Sequence, residues 1–167
     1  MCRWVVVVAF GLAACSKASD EGEAKQWAKD PPKKVEIPAN LAIDVVVDGA
    51  AGPAITGDVL RATRPDFADE ERTAWRVPTL IAAAGPAGST VEAIGTQGIS
   101  VKFARPMADG LEPVLFLTRR GEVNVAAVDP KDPFPHYHGK GGRLHRVGDS
   151  LPHVEKVVRL EITHPKS

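Results

Sequence analysis

All five histidines of the chain, His136, His138, His145, His153 and His164, lie in its C-terminal stretch. If residues 136–138 run extended, His136 and His138 share a face at i, i+2, and with His145 they would offer three imidazoles to zinc or copper. The competing account is a set of surface histidines in a loop and two neighbouring strands. No cysteine joins them, and the spacing matches no established ligand pattern. The same region holds Gly139, Gly141 and Gly142 ahead of Arg143 and Arg146. Those glycines precede a strand instead of opening a helix, so the positive helix end that holds a phosphate is missing. The two arginines could still meet an anion.

Other chemistries are excluded by what the chain lacks. Gly88-Ser89 and Gly98-Ile99-Ser100 do not fit the G-x-S-x-G frame of a nucleophile elbow, and no H-E-x-x-H occurs. The two cysteines are Cys2 and Cys15. The rest of the chain therefore has no thiol for a disulfide framework, a redox pair or a cysteine nucleophile. Asp66, Asp69, Glu70 and Glu71 form an acidic cluster that reads as a solvated loop or a helix start, since nothing else converges on it. Lys and Arg number 21 against 21 Asp and Glu, so no basic field exists to draw nucleic acid.

The elements that would position these residues are mostly short strands. Ala42-Ile43-Asp44-Val45-Val46-Val47-Asp48 is rich in β-branched residues and stops at Gly49. Thr56 caps a short helix through Leu60-Arg61-Ala62. A second helix is predicted over residues 75–85, with Pro78 in its first turn, alanines inside and Gly85 as its stop. Residues 91–103 read as a hairpin that puts Ile99, Val101 and Phe103 on one face. Residues 114–128 read as another, turning at Arg119-Arg120-Gly121-Glu122. The last strands are 143–147 and 156–163, the latter with Val158, Leu160 and Ile162 alternating against Arg159 and Glu161. Strands outnumber helices and no βαβ alternation appears. The fold class is α+β, with mainly antiparallel or mixed β-sheet and two short helices. Residues 129–142 form a long loop with three prolines and three glycines, a length uncommon unless the loop binds something or moves.

The N-terminus says where the protein lives. Arg3 precedes the apolar run Trp4-Val5-Val6-Val7-Val8-Ala9-Phe10-Gly11, and Leu12-Ala13-Ala14-Cys15 follows. This is the layout of a secretory signal, too short for the roughly 20 residues that span a bilayer. Leu12-Ala13-Ala14-Cys15 resembles the lipobox of bacterial lipoproteins. That resemblance implies that residues 1–14 are a signal peptide and that Cys15 is the lipidated first residue of the mature chain. Acyl chains contribute about 0.8 kcal/mol per buried methylene, so several on one cysteine hold a protein firmly on a membrane. Ser16 at the following position accompanies outer-membrane delivery in the proteins it resembles. Residues 15–40 read as a lipidated, polar tether, and residues 41–167 as one domain facing the periplasm.

Two segments of that domain resemble the molybdopterin-binding domain of the sulfite oxidase family. Trp75-Arg76-Val77-Pro78-Thr79-Leu80-Ile81-Ala82-Ala83-Ala84-Gly85 is similar to the family's tryptophan, short apolar helix and glycine after the cofactor loop. His138-Gly139-Lys140-Gly141-Gly142-Arg143-Leu144-His145-Arg146-Val147-Gly148, with residues 153–162, is similar to its His-Gly-x-Pro-x-Arg strand, glycine turn and closing strand. The resemblance implies a sulfite-oxidase-type molybdopterin-domain scaffold in which His138 and Arg143 would touch the pterin phosphate. Gly141 and Val147 replace two of the family's prolines, and Glu155-Lys156 replaces its Lys-Trp pair. The molybdenum-binding cysteine should lie upstream of Trp75, where residues 63–74 contain none. Without a soft thiolate the metal has no covalent anchor.

These features point to a lipid-anchored envelope protein whose domain binds an unidentified protein or small anionic ligand without catalysing a reaction. The contact surface would be the loop 129–142 with Arg143 and Arg146, which gathers Phe134, Tyr137 and the imidazoles. An envelope oxidoreductase that keeps molybdopterin, and a histidine-based metal-binding protein, are the alternatives.

Overall fold

The computed structural model describes residues 35–69, 72–134, 145, 146 and 149–166. Its strands are β1 (Ala42–Val47), β2 (Ala50–Ala51), β3 (Ile55–Thr56), β4 (Phe67–Ala68), β5 (Thr73–Arg76), β6 (Thr90–Gly95) and β7 (Ser100–Ala104) in the first part of the chain. There follow β8 (Glu112–Leu117), β9 (Val123–Val128), β10 (His145–Arg146), β11 (Asp149–Ser150), β12 (His153–Val154) and β13 (Val157–Thr163). Two short helices, α1 (Gly57–Ala62) and α2 (Val77–Leu80), and the 3₁₀ turns Ala82–Ala84 and Ala108–Gly110 complete the elements. The α+β class with mainly antiparallel and mixed sheet holds.

One sheet has the order β2-β1-β13-β6-β7, with β3 also paired to β1. Within it β1 and β13 run parallel, Asp44 opposite Arg159 and Val47 opposite Ile162, while its other pairs are antiparallel. The second sheet, β12-β9-β8-β5-β4, is antiparallel throughout. Alternation along each strand gives each sheet an apolar face. Ile43, Leu160, Val91 and Phe103 from the first sheet and Trp75, Leu115, Leu117 and Val125 from the second merge into one core with Leu60 of α1. Each such side chain contributes roughly 1.5–3 kcal/mol of burial. Val35 and Ile37 pack against the same core, so the packed body takes in residues ahead of Leu41. Pro38 fits because Gly57 and Gly121 face it. A Cβ on Gly57 would lie 2.5 Å from the Pro38 carbonyl oxygen, and one on Gly121 2.8 Å from the Pro38 ring.

Three local expectations change. The predicted helix over 75–85 is split. Trp75 belongs to β5, where pairing with Leu115 holds it extended and its indole Nε1 donates to the Thr63 carbonyl at 2.9 Å. Helix begins only at Val77, with Pro78 in the first turn as expected, and Ile81 in extended conformation separates it from the 3₁₀ turn. Ile99 does not share the face of Phe103, since β7 starts at Ser100 and Ile99 stays 59% exposed in the turn. In β13 the pairing with β6 slips between Val157 and Arg159. A bulge of this kind turns one side chain out of the alternation. Val157 is buried and Val158 is 40% exposed, whereas Leu160 and Ile162 face the core as predicted. The Thr56 cap holds, its hydroxyl accepting from the Val59 N–H at 3.4 Å.

Candidate functional site

The face of the second sheet turned away from the core carries an apolar cluster with a rim of charged side chains. Strand alternation sets Trp75, Leu115, Leu117 and Val125 toward the core and leaves Phe67, Ala74, Arg76, Glu112, Val114, Phe116, Ala126 and Val128 on this opposite face. A sheet's second face is usually wet. Here Ala74, Val114, Ala126 and Val128 are buried beneath Phe67, Phe116 and Phe134, forming a second, smaller apolar cluster.

Two arginines order the rim of that cluster. The Arg76 backbone N–H donates to Asp66 Oδ2 at 2.8 Å and its Nη1 donates to Asp66 Oδ1 at 3.0 Å. Its Nε donates to Glu112 Oε2. The guanidinium carbon lies 4.6 Å from the centroid of the Phe67 ring, within cation–π range. Burial pushes the Asp66 carboxyl up. Hydrogen bonds from the Arg76 backbone N–H, the Thr79 hydroxyl and the Arg76 guanidinium outweigh it and hold the group below its ordinary value. The bond to Glu112 holds the Arg76 guanidinium above its ordinary value. Arg72 repeats the arrangement. Its N–H and Nε donate to Asp69 at 2.6 and 2.8 Å, and its guanidinium carbon sits 4.6 Å from the Phe134 ring centroid. Arg72 Nη2 also donates to the Phe134 carbonyl at 3.3 Å.

Phe134 belongs to the loop predicted to be the contact surface. The loop's start is shaped by a turn in which Asp132 N–H donates to the Asp129 carbonyl at 3.0 Å and Lys131 N–H to Asp129 Oδ1 at 2.9 Å. Arg72 then fixes Phe134 by ring and carbonyl together, so the loop departs from a built platform. That platform sets Arg72 and Arg76 against Asp66, Asp69 and Glu112. Three carboxylates meet two guanidinium groups there, and each guanidinium also lies over an aromatic ring.

The acidic cluster is thereby corrected in part. Asp66 is not a solvated loop residue, for its side chain is only 15% exposed and is bound to Arg76, and the following residues form β4 instead of a helix. Sequence reasoning missed the Asp66, Arg76 and Glu112 triad. The only signal was a charged residue at an outward strand position beside a buried tryptophan, and its partners depend on the register of two strand pairs.

Cys15, His136, His138 and Arg143 lie outside the described residues. His145 is in β10, whose backbone pairs it with Ser150 of β11. His153 is exposed on β12 opposite Ala126, its Nδ1 3.2 Å from the Leu151 carbonyl oxygen, and His164 bonds elsewhere, to Asp48 and Ala83. These two imidazoles are thus engaged separately. Among the described residues no group of three or more His, Cys, Asp or Glu side chains is placed to hold a metal. His138 and Arg143, which the resemblance would set on a pterin phosphate, are not among the described residues, and in the segment ahead of Trp75 Asp66 and Asp69 bind Arg76 and Arg72. Compared with protein-family models, curated proteins and solved structures, the chain matches none.

Proposed function

We propose that this is a lipid-anchored protein of the bacterial cell envelope whose domain binds a protein partner and does not catalyse a reaction. The anchor is Cys15, acylated after removal of residues 1–14, which puts the domain on the periplasmic side, at the outer membrane by virtue of Ser16. The scaffold is a degenerate form of the sulfite-oxidase-type molybdopterin domain. The binding surface is the loop 129–142 with Arg143 and Arg146, together with the outer face of β4, β5, β8 and β9 from which that loop starts.

The observation that carries this reading is the segment just before Trp75. A molybdenum enzyme of the resembled family would use it for a thiolate. Here it has no cysteine, and its acids bind two arginines, one of which holds Phe134 at the start of the loop. Cross-linking in intact envelopes tests the binding surface. Deleting residues 133–142 is expected to remove the cross-linked partner while leaving far-ultraviolet circular dichroism unchanged, and undiminished cross-linking by a folded deletion variant would refute the assignment.

A further inference from the structure

His164 follows the end of β13, and its ring lies between two other pieces of the body. Nδ1 is 2.7 Å from Asp48 Oδ2 in the turn between β1 and β2, and Nε2 is 2.8 Å from the carbonyl oxygen of Ala83. The backbone N–H of His164 donates to the other oxygen of the same carboxylate at 2.9 Å. Asp48 is itself held, its N–H donating to the Ile162 carbonyl at 2.8 Å and its backbone at φ 49°. A neutral imidazole has one N–H and one lone pair. With an acceptor oxygen on both sides, a neutral ring would satisfy one and turn its lone pair on the other. The imidazolium donates to both.

We infer that His164 is a protonation-gated clasp, closed as the imidazolium, which fastens the C-terminal segment to the β1–β2 turn and to the Ala82–Ala84 turn. Asp48 is the charged side chain facing the ring among the described residues. The Ala82–Ala84 turn brings a carbonyl and no titratable group. One residue on, the Pro165 ring lies beside Gly88, where an added Cβ would come within 3.2 Å of it.

The hydrogen bond to Asp48, then that to Ala83, hold the ring above its ordinary value, and the bonds from His164 hold the Asp48 carboxyl below its own. The signs follow from linkage. The His164 contribution is complete below the ordinary imidazole value, roughly 6.5, and is lost as pH rises through the raised value. The Asp48 contribution is present above the ordinary carboxylate value and is lost as pH falls through the lowered one. The clasp is closed between these limits and opens as pH rises through the raised His164 value.

The test is a histidine-ring NMR titration of the full-length chain in detergent micelles, with the His164 signals identified by their absence in His164→Gln. Two ring N–H groups on His164 are expected below its midpoint, and that midpoint is expected above the ordinary imidazole value, roughly 6.5. In Asp48→Asn that midpoint is expected to fall. A midpoint at or below the ordinary imidazole value, or a midpoint unmoved in a folded Asp48→Asn, would overturn the clasp. Should Asp48→Asn fail to fold, the wild-type midpoint against the ordinary imidazole value decides.

Discussion

The guanidinium of Arg76 stacks over the ring of Phe67 from the neighbouring strand, 4.6 Å from its centroid, while Asp66 and Glu112 hold its edges. Sequence neighbours cannot make this arrangement. It needs β4, β5 and β8 in register, which makes Arg76 a reporter of the whole outer face.

Replacing Arg76 should therefore cost more than an ordinary surface ion pair. Arg76→Ala takes the guanidinium from Asp66 and Glu112 and leaves Asp66 only the backbone N–H and the Thr79 hydroxyl, and a loss of about 1–3 kcal/mol is expected from urea unfolding. Arg76→Lys keeps the charge but loses the planar fork and the stacking, so it should recover only part of the loss. Full stability in Arg76→Ala would mean that the triad does not hold the face together.

Acid should expose the same triad. Because the Asp66 carboxyl lies below its ordinary value, its contribution is present above the ordinary carboxylate range and disappears as pH falls through the lowered value. Asp66→Asn should be less stable than wild type at neutral pH, and the gap should close in acid. Urea midpoints of the two proteins across the acid range measure it, and a gap that stays constant would contradict the pairing.

A comparison of two glycines isolates the seat of Pro38. Gly98 and Gly121 have nearly the same left-handed backbone, φ 73° and 74°, but a Cβ at Gly98 meets nothing within 4 Å whereas one at Gly121 runs into the Pro38 ring. Gly98→Ala should cost about 1 kcal/mol for its backbone alone. Gly121→Ala should cost more, and truncating the chain ahead of residue 41 should remove the difference. Thermal unfolding of the four combinations checks this; equal losses at the two glycines would show that Pro38 yields freely.

The parts of this fold that were legible in sequence are the local ones. Both hairpins could be read because alternating runs flank a glycine turn, and the Thr56 cap because its hydroxyl needs only the next turn of chain. The parallel pairing of β1 with β13 could not be read, since Val45 and Leu160 carry no mark of one another. Val158 was misplaced because a bulge slips the period by one residue without a glycine or proline to announce it. Trp75 was assigned to a helix because Pro78 and the alanines beyond it suit one, while the sheet that claims it is assembled from strands far along the chain. Of the candidate site, the turn at residues 129–132 was legible by composition, residues 135–142 of the loop lie outside the described residues, and the platform was hidden in register.

The anchor makes its own prediction. Cys15→Ala should leave the unprocessed chain without a lipid, so that membrane fractionation and mass spectrometry of the N-terminal peptide find no acylated species. Acylation elsewhere on the variant, or unchanged membrane association by a processed form, would contradict the assignment of Cys15.

On the proposed reading, a body without a thiol binds a partner and does not carry out molybdenum chemistry. The most direct measurement is the molybdenum and pterin content, per chain, of protein purified from its native envelope. Trace amounts of both are predicted, whereas molybdenum near one atom per chain would contradict the account.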